Sequence, residues 1–282
     1  MTADRWLTIV TVVKDDPDGL VRTLNSLSRC SMDGIEHLII DSSSDRTVVP
    51  AHTLKSGLDS TVVWTPPSGV YGAMNSGLEQ AHGTYIMFLN AGDELQSCDA
   101  LGAIRTAVAD SPVWLYGDAE IVGVDGSARV TPPWDYEEER AAHFSRGHFP
   151  THQATVVRTE ALRSVGGFDS SYRIVADYAV ALTLSQSAPP VYLPVVIARF
   201  YEGGISTTGW ARSMWEFHRA RRKALALSGA GSRREMILSV RQFAGLAAHR
   251  SPWPLTVLLS AIALAFLGFT GVAWGNACLL VA

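Results

Sequence analysis

The stretch that decides the fold class is LTIVTVVKDDPDGLVRTLNSLSRCSMDGIEHLIID, residues 7–41. It opens with a β-branched run at 7–13 that is short enough to be a buried strand. Pro17 stands where many helices begin, and the leucines behind it recur on one helical face. A second apolar run at 35–41 follows that helix. A strand, a helix of about a dozen residues and another strand predict a βαβ unit with parallel strands and a right-handed crossover.

The same alternation of strands and helices continues along the chain. We predict strands at 60–64, 85–89 and 113–117 and helices at 70–81 and 99–109. Alternating elements of this kind place helices on both faces of a mostly parallel sheet. The sequence therefore predicts a three-layer α/β domain over residues 1–208.

Composition and cysteine usage bound the class of protein. Hydrophobic residues make up 47% of the 282 residues and charged residues 18%, which is typical of a folded protein rather than of a disordered one. Cys30, Cys98 and Cys278 are odd in number and widely spaced. This argues against a disulfide framework or a cysteine zinc site and fits a reducing compartment. The first residues lack a secretory signal pattern, so we expect the first domain to stay in the cytosol.

Basic residues are concentrated in one segment. Between 211 and 250 the chain has nine Lys or Arg and two Glu, whereas the net charge of the whole chain is −4. We expect residues 209–250 to form a basic helical segment beside a membrane. It either lies on an anionic lipid surface or serves as a solvated link. Because the remaining chain is acidic, we expect no nucleic-acid partner.

The last segment, residues 251–282, has no charged residue. It exceeds the roughly 20 apolar residues that cross a bilayer, and Trp253 and Trp274 have the spacing of interfacial aromatics. We predict a transmembrane or membrane-embedded segment, with a buried helix or hairpin as the alternative. The preceding positive charge indicates a cytoplasmic N-terminal side. The folded domain is then expected on the cytoplasmic side of the plasma (inner) membrane.

Three acidic residues stand at or just behind the ends of predicted strands, namely Asp41, Asp93 and Asp118. In open parallel sheets, ligands bind outside the carboxyl ends of the strands. The three carboxylates therefore indicate a binding site at one edge of the sheet. Each is alternatively a turn residue or a helix cap, which is the commoner role of an Asp in a loop.

Seven motifs occur in order between residues 6 and 208. They are TIVTVVKDD (8–16), IIDSSSDRT (39–47), SGVYGAMNSGLEQAHGTYIMFLNAGDEL (68–95), YGDAEI (116–121), HQATVVRTEAL (152–162), VGGFDSSYRIVADY (165–178) and GGIST (203–207). Together they resemble the inverting family-two glycosyltransferases, which have a GT-A type fold. The bacterial branch that builds exopolysaccharides and glycolipids is the most similar part of that family.

The resemblance implies a role for each matching residue. Asp177 is the catalytic base that deprotonates the acceptor hydroxyl. The nucleotide-sugar donor is bound by Asp41, Asp45, Tyr71, Asn75 and Asn90, and the acceptor by His152, Gly166 and Gly167. From the residues alone, Asp41 is also a plausible turn cap and Asp177 an acid stabilised by the helix dipole, and both alternatives stay open.

A metal ion is also implied by the resemblance. NAGD, residues 90–93, occupies the place of the family's metal motif, with Asp93 as the metal ligand. Mg²⁺ or Mn²⁺ between this carboxylate and phosphate oxygens neutralises the diphosphate leaving group. One carboxylate is sufficient in principle, because Mg²⁺ takes its other ligands from phosphate and water.

The chain departs from this branch at two positions. Relatives usually read D-x-G-I-Y-D-A-M-N where this chain has PSGVYGAMN, so Pro67 and Gly72 replace two acids. We expect a metal-dependent inverting glycosyltransferase that transfers a sugar from a nucleotide-diphosphate sugar to a lipid-linked or cell-envelope glycan. The alternative is a catalytically degenerate scaffold in a membrane polysaccharide-assembly complex. A dinucleotide-dependent oxidoreductase is disfavoured, because no G-x-G-x-x-G follows the first strand.

Overall fold

The computed structural model of the chain describes residues 5–203, 210–229, 231–233, 235–237, 239 and 240. The chain divides into two compact units, Met1–Gly209 and Trp210–Ala282. The strands are β1 (Leu7–Val13), β2 (Ile35–Asp41), β3 (Ser60–Trp64), β4 (Tyr85–Phe88), β5 (Glu94–Leu95), β6 (Trp114–Val122), β7 (Ala128–Val130), β8 (Thr155–Arg158) and β9 (Val191–Tyr201). The helices are α1 (Pro17–Leu27), α2 (Val48–Ser56), α3 (Gly69–Gln80), α4 (Cys98–Ala107), α5 (Tyr136–Ser145), α6 (Thr159–Ser164), α7 (Ala176–Ser185) and α8 (Trp210–Ala224).

One sheet organises the first unit, with the strand order β3-β2-β1-β4-β8-β6-β9-β5 and with β7 paired to β6. Strands β3, β2, β1 and β4 are mutually parallel, and β6 is parallel to β9. Strand β8 runs antiparallel between β4 and β6. The carboxyl ends of β1 to β4 and of β6 therefore share one edge with the amino end of β8.

Helix α1 forms where the sequence predicts it, for local reasons. The Asp16 carboxylate accepts a hydrogen bond from Gly19 N at 2.9 Å and so caps the first turn. Leu20 and Leu24, one turn apart, are buried against Ile39 of β2. The capped start and the apolar stripe together fix this helix on the sheet.

Helix α3 covers the opposite face of the sheet. A Cβ added to Gly77 would lie 2.4 Å from Val10 Cγ1 and 3.4 Å from Ile40 Cγ1, so only glycine permits this close packing. Ile40 follows Ile39, and successive residues of a strand face opposite sides. Ile39 contacts α1 on one face of the sheet, and Ile40 contacts α3 on the other. Helices therefore cover both faces, and the predicted three-layer arrangement is confirmed.

The predicted strands within residues 7–117 are all present, and the α/β class is correct. Strands β7, β8 and β9 lie beyond the last strand that the sequence pattern predicts. The position of β8 depends on pairing with β4 and β6, which are distant in sequence. A short apolar run such as TVVR carries no signal for its partners or its direction.

The cysteines correct one expectation. Cys30 and Cys98 form a disulfide, with a Cα–Cα distance of 5.2 Å and a sequence separation of 68. The argument from number and spacing against disulfides is therefore wrong for these two. Cys30 follows α1 and Cys98 opens α4. Packing of these two helices on the sheet brings the two cysteines together although they are far apart in the sequence.

The second unit contains the basic helix α8. Arg221 on this helix is buried, and its Nε donates to Glu235 Oε1 at 2.5 Å. Part of the positive charge is thus neutralised inside the unit rather than exposed. Among the described residues, no helix combines the length and the apolar character that a bilayer crossing needs. The predicted membrane segment, 251–282, lies outside the described residues.

Candidate functional site

Asp41 ends β2 and is almost completely buried. Its Oδ1 accepts a hydrogen bond from Ser43 N at 2.8 Å, so it caps its own turn. The adjacent Trp64 donates from Nε1 to Ser43 O at 3.2 Å, and the Arg46 guanidinium stacks 3.4 Å above the Trp64 ring. The capping role is therefore present at a turn that also carries an aromatic face and a cation.

Asp45 lies further along the same loop and is exposed. Its Oδ1 accepts hydrogen bonds from Thr47 N at 2.9 Å and Thr47 Oγ1 at 2.7 Å. These bonds lower the pKa of Asp45. Its contacts in the structure are thus local and shape the start of α2. A role in binding the donor stays a prediction.

Asp93 ends a tight turn behind β4. Asp93 N donates to Asn90 O at 2.9 Å, and Gly92 has a φ of +100°, a conformation that glycine adopts readily. Gln153 Nε2 donates to Asp93 Oδ2 at 3.3 Å. Burial raises the pKa of Asp93 to about 6 against the opposing effect of the nearby His152 charge. The protein thus holds a carboxylate that favours a positively charged partner.

Asn90 opens the same turn and presents a second oxygen. Its Oδ1 is buried and has no hydrogen-bond partner within the part of the chain that the structure describes, and its Nδ2 lies 3.5 Å from His152 Nε2. Hard divalent cations prefer carboxylate and amide oxygens, so Asn90 and Asp93 fit such an ion. The described residues contain no group of three His, Cys, Asp or Glu that could hold a metal. A cation here needs further ligands from its substrate or from water.

Asp177, in the first turn of α7, is held on both of its carboxylate oxygens. Its Oδ1 accepts a hydrogen bond from Tyr178 N at 2.9 Å and lies 2.9 Å from Tyr71 OH, whose one hydrogen it shares with Ile174 O at 2.5 Å. Its Oδ2 lies 3.1 Å from His152 Nδ1. A carboxylate has about four acceptor positions. Within the part of the chain that the structure describes, contacts reach three of them, and the remaining one is on Oδ2.

The electrostatics of Tyr71 and His152 follow from this arrangement. Burial, together with the negative charge of Asp177, raises the pKa of Tyr71, so its hydroxyl stays a donor. Burial lowers the pKa of His152, but the hydrogen bond and charge of Asp177 outweigh it and raise that pKa above its ordinary value. Asp177 is thus an oriented carboxylate between a neutral donor and a readily protonated one.

Asn75 acts on the backbone of the following segment. Its Nδ2 donates to Phe168 O at 2.7 Å, and its Oδ1 accepts from Phe168 N at 2.8 Å. Gly167 has a φ of +66°, and a Cβ there would lie 2.7 Å from Asn75 Oδ1. The Phe168 ring stacks on Tyr71 at 5.8 Å. Asn75 and Gly167 therefore support the tyrosine that holds Asp177, while their direct binding roles stay predictions.

Gly166 adopts a φ of +87° immediately before Gly167, in the turn behind α6.

The pair His152 and Asp177 borders a mainly apolar cavity of about 30 Å³, which Phe88, Trp114 and other buried side chains line. Low polarity beneath the pair strengthens its electrostatic interactions.

The structure brings five of the predicted site residues into one connected group. They are Asn90, Asp93, His152, Asp177 and Tyr71. Asp41 and Asp45 lie at the end of β2, two strands from β4 along the same edge of the sheet. Gln153, which sequence reasoning missed, stands beside His152 in the motif HQAT, so its position was the available signal. Gly72 has no room for a side chain, because a Cβ would lie 2.3 Å from Ser68 Oγ.

The sequence is similar to a known protein family and to several of its members. The family model described as glycosyl transferase family 2 matches residues 8–165. An uncharacterised glycosyltransferase of Mycobacterium tuberculosis is 28% identical over 235 residues, which cover 78% of this chain and 86% of the relative. A PGL/p-HBAD biosynthesis glycosyltransferase of Mycobacterium bovis is 27% identical over 194 residues, 66% of this chain and 73% of the relative.

Solved structures share the fold at low sequence identity. S. aureus TarS in complex with UDP has a TM-score of 0.62 at 15% identity, over 86% of this chain and 72% of that one. The Pyrobaculum calidifontis mannosyltransferase PcManGT, in complex with GDP-Man and Mn²⁺, has a TM-score of 0.57 at 16% identity, over 93% and 80%. Both likenesses concern a GT-A type fold. With its family model matching more than half of its length, the chain belongs to glycosyl transferase family 2.

Proposed function

We propose that the chain transfers a sugar from a nucleotide-diphosphate sugar to a lipid-linked or cell-envelope glycan acceptor, with inversion at the sugar carbon. The observation that carries this proposal is the arrangement around Asp177. Its carboxylate is held by Tyr71 and His152 and, among the described residues, keeps one acceptor position free on Oδ2. An inverting transfer needs one such base and no covalent nucleophile.

The reaction takes place in one displacement. Asp177 Oδ2 accepts the proton of the acceptor hydroxyl as the acceptor oxygen forms a bond to the anomeric carbon of the donor sugar. The bond from that carbon to the diphosphate oxygen breaks, and the nucleoside diphosphate leaves with the electron pair. Attack opposite the leaving group inverts the configuration. His152 and Tyr71 keep the carboxylate oriented while it takes up the proton.

The donor is assigned to the edge between Asp41 and Asp93. Asp41 and Asp45 are proposed to bind the nucleoside part, and Tyr71, Asn75 and Asn90 to support the sugar-diphosphate part. Mg²⁺ or Mn²⁺ would be held by Asp93, Asn90 Oδ1 and donor phosphate oxygens, where it would neutralise the leaving diphosphate. Complexes of related folds with UDP and with GDP-Man and Mn²⁺ support this class of donor and ion.

The acceptor and the membrane are supported by different observations. A PGL/p-HBAD biosynthesis enzyme is among the relatives, and the uncharged segment 251–282 suits a membrane anchor. We place the folded domain on the cytoplasmic side of the plasma membrane, with His152, Gly166 and Gly167 on the acceptor side. Fractionation tests the anchor: the full chain should sediment with membranes to a greater extent than a chain ending at 250, which keeps the basic segment.

The catalytic assignment is tested with a panel of UDP-, GDP- and dTDP-sugars in Mg²⁺ or Mn²⁺. We expect release of nucleoside diphosphate by the wild type, and a loss of roughly 10²- to 10⁴-fold in Asp177→Asn. The control is Glu79→Gln, a similar change on the exposed side of α3. Equal background rates for wild type and Asp177→Asn across the panel would contradict the proposal.

Nucleotide binding separates an enzyme from a degenerate scaffold. Calorimetric titration with UDP, GDP and dTDP should show metal-dependent binding that is lost in Asp93→Ala. A scaffold predicts no such binding in the wild type. The scaffold hypothesis comes from Pro67 and Gly72, which stand where relatives have acids. The same titration therefore shows whether the chain still binds a donor nucleotide and which one it prefers.

A further inference from the structure

Thr23 on α1 contacts the turn that carries Asp93. The side chain is fully buried. Its Oγ1 lies 2.7 Å from Asp93 O, 3.2 Å from Asn90 O and 3.1 Å from Gly92 N. A hydroxyl has one hydrogen to donate and two lone pairs with which to accept. Gly19 O of its own helix is also within reach at 3.2 Å, but Asp93 O is the nearest acceptor, so the hydroxyl donates to Asp93 O while it accepts from Gly92 N.

Among the described residues, the turn has few other attachments near Asp93, one of which is the contact of Gln153 Nε2 with Asp93 Oδ2 at 3.3 Å. Ala91 N donates to Val12 O at 3.0 Å, which anchors the first half of the turn to β1. The second half is closed by Asp93 N and Asn90 O within the turn. The contact of Thr23 with Asp93 O joins residues about 70 positions apart. It therefore supports the second half of the turn, which carries the Asp93 carboxylate.

We propose that Thr23 is a positioning residue that sets the Asn90–Asp93 turn for binding of the metal and the donor diphosphate. Without the hydroxyl, Gly92 N loses a buried acceptor and Asp93 O a donor, so the turn relaxes. Asp93 and Asn90 Oδ1 then lose their fixed separation, and the hard cation loses a preformed pair of oxygens. The inference rests on the proposed function for its ligand, but its structural half concerns the free protein.

A neighbouring residue supplies the matched control. Ser26, one turn further along α1, is also buried, and its Oγ accepts from Leu95 N at 3.0 Å. Ser26→Ala therefore removes a similar contact from the same helix to the same segment but leaves the Asn90–Asp93 turn closed. If the Thr23 hydroxyl only stabilised the fold, removing it or the Ser26 hydroxyl would change hydrogen exchange and nucleotide binding in the same way.

Thr23→Val, Thr23→Ser and Ser26→Ala are compared by hydrogen exchange of the free protein and by titration with UDP and GDP in MnCl₂. We expect faster exchange over 90–93 and roughly tenfold weaker binding in Thr23→Val. Thr23→Ser should restore both, and Ser26→Ala should bind within about twofold of the wild type, the limit for a contact outside the site.

Unchanged exchange over 90–93 in Thr23→Val would overturn the proposal. So would unfolding of both Thr23→Val and the smaller Thr23→Ala, because the hydroxyl would then serve the whole fold. If the wild type binds neither nucleotide, the proposed function fails while the exchange experiment still decides the role of Thr23.

Discussion

At the scale of single residues, the hydroxyl of Tyr71 should be worth more to catalysis than to folding. Tyr71→Phe keeps the ring that stacks on Phe168 and removes the hydroxyl that Asp177 Oδ1 and Ile174 O share. A hydrogen bond to a charged group contributes about 1.5–3 kcal/mol. We therefore expect transfer to slow by roughly 10- to 100-fold, with a smaller loss of nucleotide affinity because Tyr71 is also assigned to the donor site. Initial rates and calorimetry measure the two quantities.

Tyr178→Phe is the control for this change. Tyr178 is also buried, and its hydroxyl donates to Phe144 O at 2.7 Å, while only its backbone N contacts Asp177. Both variants lose one buried hydroxyl, so their stabilities should fall by similar amounts. If they also lose transfer rate equally, Tyr71 acts through the fold and has no special relation to the base.

At the scale of elements, the Cys30–Cys98 disulfide closes a loop that contains β2, β3, β4, β5, α2 and α3. A link across 68 residues restricts the unfolded chain, and the chain-entropy relation gives a stabilisation of about 4 kcal/mol as an upper value. We expect the double variant Cys30→Ser, Cys98→Ser to lose about 2–4 kcal/mol of unfolding free energy in urea. Wild type treated with dithiothreitol should match it. Equal midpoints for oxidised wild type and the double variant would contradict this.

The disulfide also illustrates what the sequence can predict. The first βαβ unit and the strands to residue 117 follow from local patterns, since a capped start and a leucine stripe need only near neighbours. Contacts across the sheet leave no such pattern. Tyr71 meets Asp177 across 106 residues and Thr23 meets Asp93 across 70. Asp93 and Asp177 were recognisable from motifs, whereas the groups that orient them depend on how α1, α3 and α7 pack.

At the scale of the whole molecule, a buried histidine should make stability depend on pH. His37 on β2 lies between Thr11 Oγ1 at 3.0 Å and Ser60 Oγ at 2.7 Å, and it joins the three strands that form this side of the sheet. Burial lowers the pKa of His37 to about 4 from an ordinary value of 6.5. Between these values the unfolded chain binds the proton and the folded chain does not. The contribution of His37 is therefore complete above pH 6.5 and is lost as the pH falls towards 4, by about 3 kcal/mol in total.

The measurement is the difference in unfolding free energy between wild type and His37→Gln in urea at several values from pH 7 to pH 5. Taking the difference cancels groups that both proteins share. Asp93 is one of them, and its raised pKa gives a contribution of opposite sign, since the folded chain then binds the proton. We expect the advantage of wild type over His37→Gln to shrink as the pH falls. His52→Gln, on α2 outside the sheet, is measured beside it as a second histidine-to-glutamine variant. A constant difference between wild type and His37→Gln would mean that His37 is protonated in the folded protein or that its strands open to water.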